Sequence, residues 1–386
     1  MRTRSALTSA LIAAASAGVA FLLTLALEWA AGVYLYSSHR NAGLIWGPSS
    51  VVRHTTREFS YVARINNLGF RDRDFSRGKA PGRRAIVLGD SFTYGWGVNN
   101  DEPWPKVLER SLRNVEIANL GAPGGYPRSY ADLAEKAIPL LRPDLVIVAV
   151  VQSDDLHQSA EKAPSRRMSG WFTDRYPNLM QWIGGSDIKK IDVSAEDLAG
   201  IWKKQVTDFT AQMEPAERQK FDGLAAPIRE AFLEGQLNPG LLYYSIRFPS
   251  FLLDTCDLEA PATRAEIDEM SAQLARIREL AKRWGAEALV VSIPYPPYAS
   301  GHSLEAMKQL GFATRPDLLE STKPDEAIER AARRAGLPFL TVTREFRQEA
   351  RRHDLFFRLD GHLNPLGHQV YASQLAPLLR PHLQSR

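Results

Sequence analysis

Hydrophobic positions are distributed unevenly along this chain. From Ser5 to Leu27 no charged residue occurs, and the run SALTSALIAAASAGVAFLLTLAL is long enough to cross a hydrocarbon core as a helix. Uncharged sequence resumes after Glu28 and continues to Ser38, with Trp29, Tyr34 and Tyr36 suited to a membrane interface. Arg2 and Arg4 precede the run, so the positive-inside bias places the N-terminus in the cytoplasm and the rest of the chain on the far side. A cleaved signal peptide is the alternative, but its apolar region normally spans about 7–15 residues. The pattern therefore predicts an uncleaved transmembrane signal anchor over residues 1–38.

Residues 39–83 break the apolar pattern. They are rich in Arg, Asn, Gly and Ser, contain INNLGFRDRDF, and end in the basic, turn-forming RGKAPGRR. This composition predicts an irregular linker that packs partly on the domain after it.

From Arg84 short apolar runs recur: Ala85 to Gly89, Val115 to Asn119, Leu145 to Val151, Ala288 to Ile293 and Phe339 to Val342. Continuous β-branched runs without alternation suit strands buried on both faces, as in a parallel sheet. Helical patterns lie between them, at Glu102 to Arg113, Tyr130 to Leu141, Arg264 to Trp284, Lys323 to Ala335 and Pro365 to Leu379. In the third, Ile267, Met270, Leu274, Ile277 and Leu280 keep a 3–4 spacing. Strand–helix alternation predicts a doubly wound α/β sheet of about five strands over residues 84–386.

The alternation is interrupted between Val151 and Ala288, where helical patterns occur without a convincing strand. Residues 158 to about 260 are read as a helical insertion. In an open α/β sheet, ligands bind outside the carboxyl ends of the strands. An insertion leaving from the end of the third strand is placed to cover that crevice.

Composition narrows the classes. Of 386 residues, 44% are hydrophobic and 24% charged, which is ordinary globular composition and excludes a disordered or fibrous chain. Lys plus Arg number 48 against 44 Asp plus Glu, a net charge of +4 with no long basic run, so no nucleic-acid partner is expected. The single cysteine, Cys256, excludes an internal disulfide framework and a cysteine-based metal centre.

Candidate chemistry lies where strands end. The first strand runs into GDSFTYGWGV, Gly89 to Val98, which puts Ser91 at a strand-to-helix turn. A nucleophilic serine needs a base for its proton and a third group to orient the base. The C-terminal LDGHLNPLGH supplies Asp360, His362 and His368. Asp360 and His362, two apart, face one side of an extended segment. Asn364 and Pro365 read as N-cap and first position of the last helix. A triad Ser91, Asp360, His362 follows, by analogy with the general template. His368, inside that helix, is read as a surface or supporting residue. His353, Asp354, Asp360 and His362 lack a metal-ligand spacing, so no metal is expected. Tyr94 and Trp96 are read as core, and Cys256 as an inert thiol.

These residues resemble the SGNH/GDSL hydrolases. The resemblance rests on GDSF at Gly89 to Phe92, the glycine of NLGAPGG at Gly121, an acidic motif after the third strand, and Asp–His before the final helix. It covers residues 84–157 and 286–380. INNLGFRD, the anchor and DGHLNPLGH are similar to the membrane-anchored bacterial members. The resemblance implies a three-layer α/β/α fold with five parallel strands, and ester hydrolysis or acyl transfer without cofactor. It implies Ser91 as nucleophile, His362 as base, Asp360 as its partner, and an oxyanion hole at Ser91 N–H, Gly121 N–H and position 154.

Two departures accompany it. The family's Gly-x-Asn-Asp reads here as Gln152, Ser153, Asp154, Asp155, so Asp154 stands where an asparagine donates to the oxyanion. A carboxylate about 4 Å from that charge would cost on the order of 4 kcal/mol at an effective dielectric of 20. Loss of one donor costs about 3–4 kcal/mol. Protonation of Asp154, donation from Gln152 or Ser153, or a degenerate site are the three ways out. The second departure is Asp360-Gly361-His362, one residue shorter than Asp-x-x-His, which Gly361 is expected to absorb.

Three functions remain open. One is a serine esterase on the periplasmic side of a bacterial inner membrane, removing acyl groups from envelope glycans or lipids. Another is an O-acyltransferase using the same triad. The third is a non-catalytic glycan-binding or assembly protein on a degenerate scaffold.

Overall fold

Residues 44–75, within the expected linker, contain a two-stranded ribbon packed on the α/β domain. A computed structural model describes residue 12 and residues 15–31, 44–75, 82–161 and 198–384. Within residues 39–83, β1 (Val51–Thr55) and β2 (Ser60–Arg64) pair as an antiparallel ribbon. Alternate residues Val52, Tyr61 and Ala63 are buried, and Trp46, Phe59 and Ile65 join them in an aromatic cluster with Tyr94, Trp96 and Trp202. Few apolar residues occur here, but large rings bury much area each, which polar-rich composition conceals.

The apolar runs pair as one parallel sheet. Its strands are β3 (Arg83–Gly89), β4 (Val115–Gly121), β5 (Leu145–Val151), β6 (Glu287–Ile293) and β7 (Phe339–Leu340), in the order β4-β3-β5-β6-β7. Side chains alternate between the faces. Ile86, Leu88, Ala118, Val146, Val148 and Val290 pack with helices Pro127–Leu141, Pro261–Arg283 and Lys323–Ala335. Val87, Ile117, Ile147, Ala149 and Val291 pack on the other side with helices Trp104–Ser111 and Pro365–Gln384. The result is an α/β fold of three layers. β7 is shorter than the expected Phe339 to Val342. The Thr341 hydroxyl donates to Asp325 and accepts the Thr343 N–H at 3.1 Å, which turns the chain into helix Thr343–Ala350.

No strand interrupts the described residues between β5 and β6. The insertion contains helices Leu198–Ala211, Pro215–Asp222, Ala226–Leu233, Pro239–Arg247 and Phe251–Asp254. Its residues 162–197 lie outside the described residues.

The expected anchor lies partly outside them as well. Residues 15–31 are helical. Among the described residues, no helix is long and apolar enough to cross a membrane. This stretch nonetheless exposes Val19, Leu22, Leu23 and Trp29, at 57%, 65%, 60% and 72%.

Strand order reverses about β3, so the crevice beyond the carboxyl ends of β3 and β5 is the natural ligand position. Ser91 follows β3, and helix Asp154–Glu161 follows β5.

Candidate active site

The turn after β3 is fixed by the residues of the GDS motif. Asp90 caps the short helix Ser91–Tyr94 by accepting the Phe92 N–H at 2.9 Å. Gly95, at φ +84°, ends that helix in a left-handed conformation that favours glycine. Buried Arg71, from the supposed linker, donates to the carbonyls of Tyr94 (3.0 Å), Gly95 and Val98. Its guanidinium also lies over the Tyr94 and Tyr61 rings, 4.8 and 5.3 Å from their centroids.

His362 joins Ser91 to Asp360. Its Nε2 is 2.7 Å from Ser91 Oγ, and its Nδ1 is 2.5 Å from Asp360 Oδ1. A carboxylate facing Nδ1 selects the tautomer with hydrogen there, leaving Nε2 to accept from the serine hydroxyl. The sequence separation of 271 residues between serine and histidine is closed by the fold alone. Gly361 absorbs the short spacing, at φ +84°. The Asp360 carboxylate also accepts the His362 N–H at 3.3 Å, so the acid and its histidine form one local turn. Asn364 caps the following helix by accepting the Gly367 N–H at 2.9 Å, as the sequence suggests. The imidazole packs on Phe92 and Trp96, with centroids 4.7 and 6.0 Å away. Trp96 in turn stacks on Trp202 of the insertion, 5.7 Å apart at 21°.

Ser91, Phe92, Asp360 and His362 line a cavity of about 230 Å³. Its polar lining includes Asp90, Asp154, Gln158, Asn238 and Asp360, and its apolar lining Phe92, Leu241, Tyr244, Phe251, Tyr295, Met307 and Phe312. Asn238, Leu241, Tyr244 and Phe251 come from the insertion. Tyr295 of IPYPPY lines the cavity, whereas the Tyr298 hydroxyl donates to the Leu252 carbonyl at 2.8 Å inside the fold.

The electrostatics are unusual. His362 is the only basic side chain among the lining residues, against three carboxylates. Burial and the nearby Asp154 charge push Asp90 up to about 7. Burial also raises Asp155, whose carboxylate accepts the Tyr130 hydroxyl and the Val151 N–H, each at 2.9 Å. For His362, burial acts downward, but the charges of Asp360, Asp90 and Asp154 together hold it above its ordinary 6.5.

Of the expected oxyanion groups, Gly121 is placed differently. The Gly121 N–H is engaged by Asn119 Oδ1 at 3.0 Å, and Gly121 is not among the lining residues. Gly124 and Gly125, in the turn that follows, line the cavity instead. The doubled glycine in APGG is the signal that distinguishes this turn. Asp154 and Ser91 both line the cavity. Gln152 and Ser153 do not. Gln152 donates to Asp325 (2.6 Å) and Thr343 (2.9 Å) and accepts from Tyr295 N–H. Ser153 hydrogen-bonds the Tyr298 and Thr255 hydroxyls, both at 2.7 Å.

His368 is neither at the surface nor in the site. It is fully buried, accepts the Trp104 N–H at 3.2 Å, and is held neutral by burial, its pKa lowered to about 3. Cys256 is partly buried, and burial raises its pKa, which disfavours the reactive thiolate.

No family model matches the chain, and no curated protein matches it. Solved structures do. TesA is 12% identical, with 78% of this chain and 99% of that one covered and a TM-score of 0.37. A member of the lipolytic protein G-D-S-L family from Veillonella parvula is 11% identical, with coverage of 76% and 97% and a TM-score of 0.35. The psychrotrophic esterase EstA from Pseudoalteromonas sp. is 9% identical, with coverage of 78% and 100% and a TM-score of 0.39. At such loose superposition these likenesses decide nothing about the reaction.

Proposed function

We propose that this chain is a serine ester hydrolase of SGNH type that acts through Ser91, His362 and Asp360. The observation that carries the reading is His362 bridging Ser91 Oγ and Asp360 Oδ1, at 2.7 and 2.5 Å. Ser91 Oγ attacks the ester carbonyl carbon while His362 Nε2 takes its proton. Asp360 stabilises the imidazolium that forms. His362 then returns the proton to the departing alcohol, leaving an acyl group on Ser91. Water, deprotonated by the same histidine, cleaves that acyl-enzyme to the free acid.

The apolar lining residues Leu241, Phe251, Tyr295, Met307 and Phe312 suit an apolar part of the ester. Burying each methylene there contributes about 0.8 kcal/mol. The Ser91 N–H heads its helix, where intrahelical acceptors are lacking, and serves the oxyanion.

The N-terminal pattern supports a membrane setting. Arginines precede a long apolar run, and the described part of it leaves large apolar side chains exposed. The domain then works on the extracytoplasmic side of a bacterial inner membrane, on acyl esters of envelope glycans or lipids. Membrane fractionation and protease accessibility of the C-terminal domain test this.

The reaction is tested with short-chain aryl esters, comparing the chain with its Ser91→Ala form. Hydrolysis that disappears with the serine hydroxyl is the expected result. Equal hydrolysis by both forms would remove Ser91 as nucleophile.

A further inference from the structure

The loop that carries Asp360 is held from outside the α/β domain. Glu58 lies in the turn between β1 and β2. Its Oε2 accepts the Leu359 N–H at 3.1 Å and the Asp360 N–H at 2.7 Å, and its Oε1 accepts the Leu359 N–H at 3.0 Å. The hairpin turn is itself closed by the Thr56 N–H on the Phe59 carbonyl, at 2.8 Å. Beside this contact Phe59 packs on Phe357, with ring centroids 5.0 Å apart. Gly97 lies under both rings, where a Cβ would meet Phe357 at 2.5 Å and Phe59 at 3.1 Å. Glu58 is thus set by a rigid ribbon and aimed at two adjacent backbone amides.

Like charges make the arrangement notable. Glu58 stands near the Asp360 carboxylate, and burial followed by that charge raises its pKa, against the amides that favour the anion. Nothing in hairpin packing requires a carboxylate at a partly buried turn beside another carboxylate. Two amides in a loop that must present an acid to a histidine do require an acceptor.

We propose that Glu58 is a positioning residue for Asp360: it fixes the Leu359–Asp360 backbone and thereby keeps the Asp360 carboxylate on His362 Nδ1. This rests on the reading of Ser91, His362 and Asp360 as the reacting group. The ribbon is then a working part of the site. A misplacement of about 1 Å in such a constellation lowers turnover by as much as 10²-fold.

The test compares Glu58→Ala and Glu58→Gln in the full chain. Active sites are counted by titration with a phosphonylating agent, so that misfolded protein does not enter the turnover number. Glu58→Ala is expected to lower kcat per titrated site roughly 10- to 100-fold, with KM changed less than about twofold. The acid limb of its pH profile moves down, because His362 loses part of its carboxylate partner. Glu58→Gln recovers most of the activity, since one oxygen at the Oε2 position takes both amides. Wild-type turnover per site and an unmoved acid limb in Glu58→Ala would overturn the proposal.

If Glu58→Ala does not fold, Glu58→Asp, which keeps the charge and shortens the reach, is judged by the same criteria. The His362 ring resonances are also titrated by NMR in wild type and variant. This readout needs no turnover. If Ser91→Ala proves as active as wild type, the catalytic reading fails, and a shifted His362 titration still sustains the role of Glu58. An unshifted one removes it.

Discussion

Gly121 lies against the backbone of Tyr94. A Cβ at Gly121 would stand 2.0 Å from Tyr94 N and 2.6 Å from the Thr93 carbonyl carbon. The end of β4 therefore supports the short helix that begins with Ser91, and the support tolerates no side chain. Its N–H, meanwhile, is held by Asn119. The glycine of this motif shapes the serine's platform.

Gly121→Ala should accordingly destabilise the protein by about 3 kcal/mol, since backbone cannot yield as a side chain can. Urea denaturation measures it. Gly124→Ala, where an added Cβ meets nothing within 4 Å, should cost less despite its φ of +72°. The reverse order would show that the contact with Tyr94 is not the constraint.

On the proposed mechanism, the pH profile of ester hydrolysis follows from His362. The base must be neutral, so kcat/KM rises with pH through the His362 pKa, which neighbouring carboxylates hold above 6.5 despite burial. Asp90→Asn removes one of those charges and keeps an acceptor for Phe92 N–H. Its acid limb should lie at lower pH than that of wild type. A limb unchanged in Asp90→Asn would mean that Asp90 is already uncharged throughout the working range.

Asp90 also links pH to stability. In the folded chain it holds its proton up to about 7, whereas the unfolded carboxyl releases it near 3.8. Between these values the folded state binds more protons, so this group's contribution to stability falls as pH rises, and is lost by about pH 7. Between pH 4 and 8, Asp90→Asn should lose less stability than wild type. Parallel denaturation midpoints across that range would contradict the assignment.

On the proposed mechanism, Asp154 limits activity. Asp154 lines the same cavity as Ser91, where an ionised carboxylate would oppose the developing oxyanion, and Gln152 and Ser153 are engaged elsewhere. Asp154→Asn replaces a repulsive group with a donor and should raise kcat/KM by roughly 10²-fold. No increase, in a protein whose wild-type activity is also absent, would favour the glycan-binding reading.

Much of this architecture is written in the chain. The runs Ala85–Gly89, Val115–Asn119, Leu145–Val151 and Ala288–Ile293 are apolar without alternation, which only strands covered on both faces need, and all four are strands of the central sheet. Ser91 at a strand end and Asp360–Gly361–His362 before a capped helix were legible because each is a local signature. Locality also marks the limit. Whether Ser91 Oγ meets His362 Nε2 depends on strand order and on how the last helix packs, and these are long-range properties. Gly121 and Gly124 look alike in sequence, and only the path of the turn shows which one lines the cavity. Arg71 and Glu58 lie in polar, glycine-punctuated sequence that reads as linker. Their roles come from carbonyls and amides of distant loops, and backbone acceptors and donors leave no trace in composition. Hydrophobic period and turn chemistry act over a few residues, so the sheet strands, the candidate nucleophile and the candidate Asp–His pair are legible locally. The tertiary structure alone decided which groups share a cavity and which segments hold them there, because burial and charge proximity are set by contacts hundreds of residues apart.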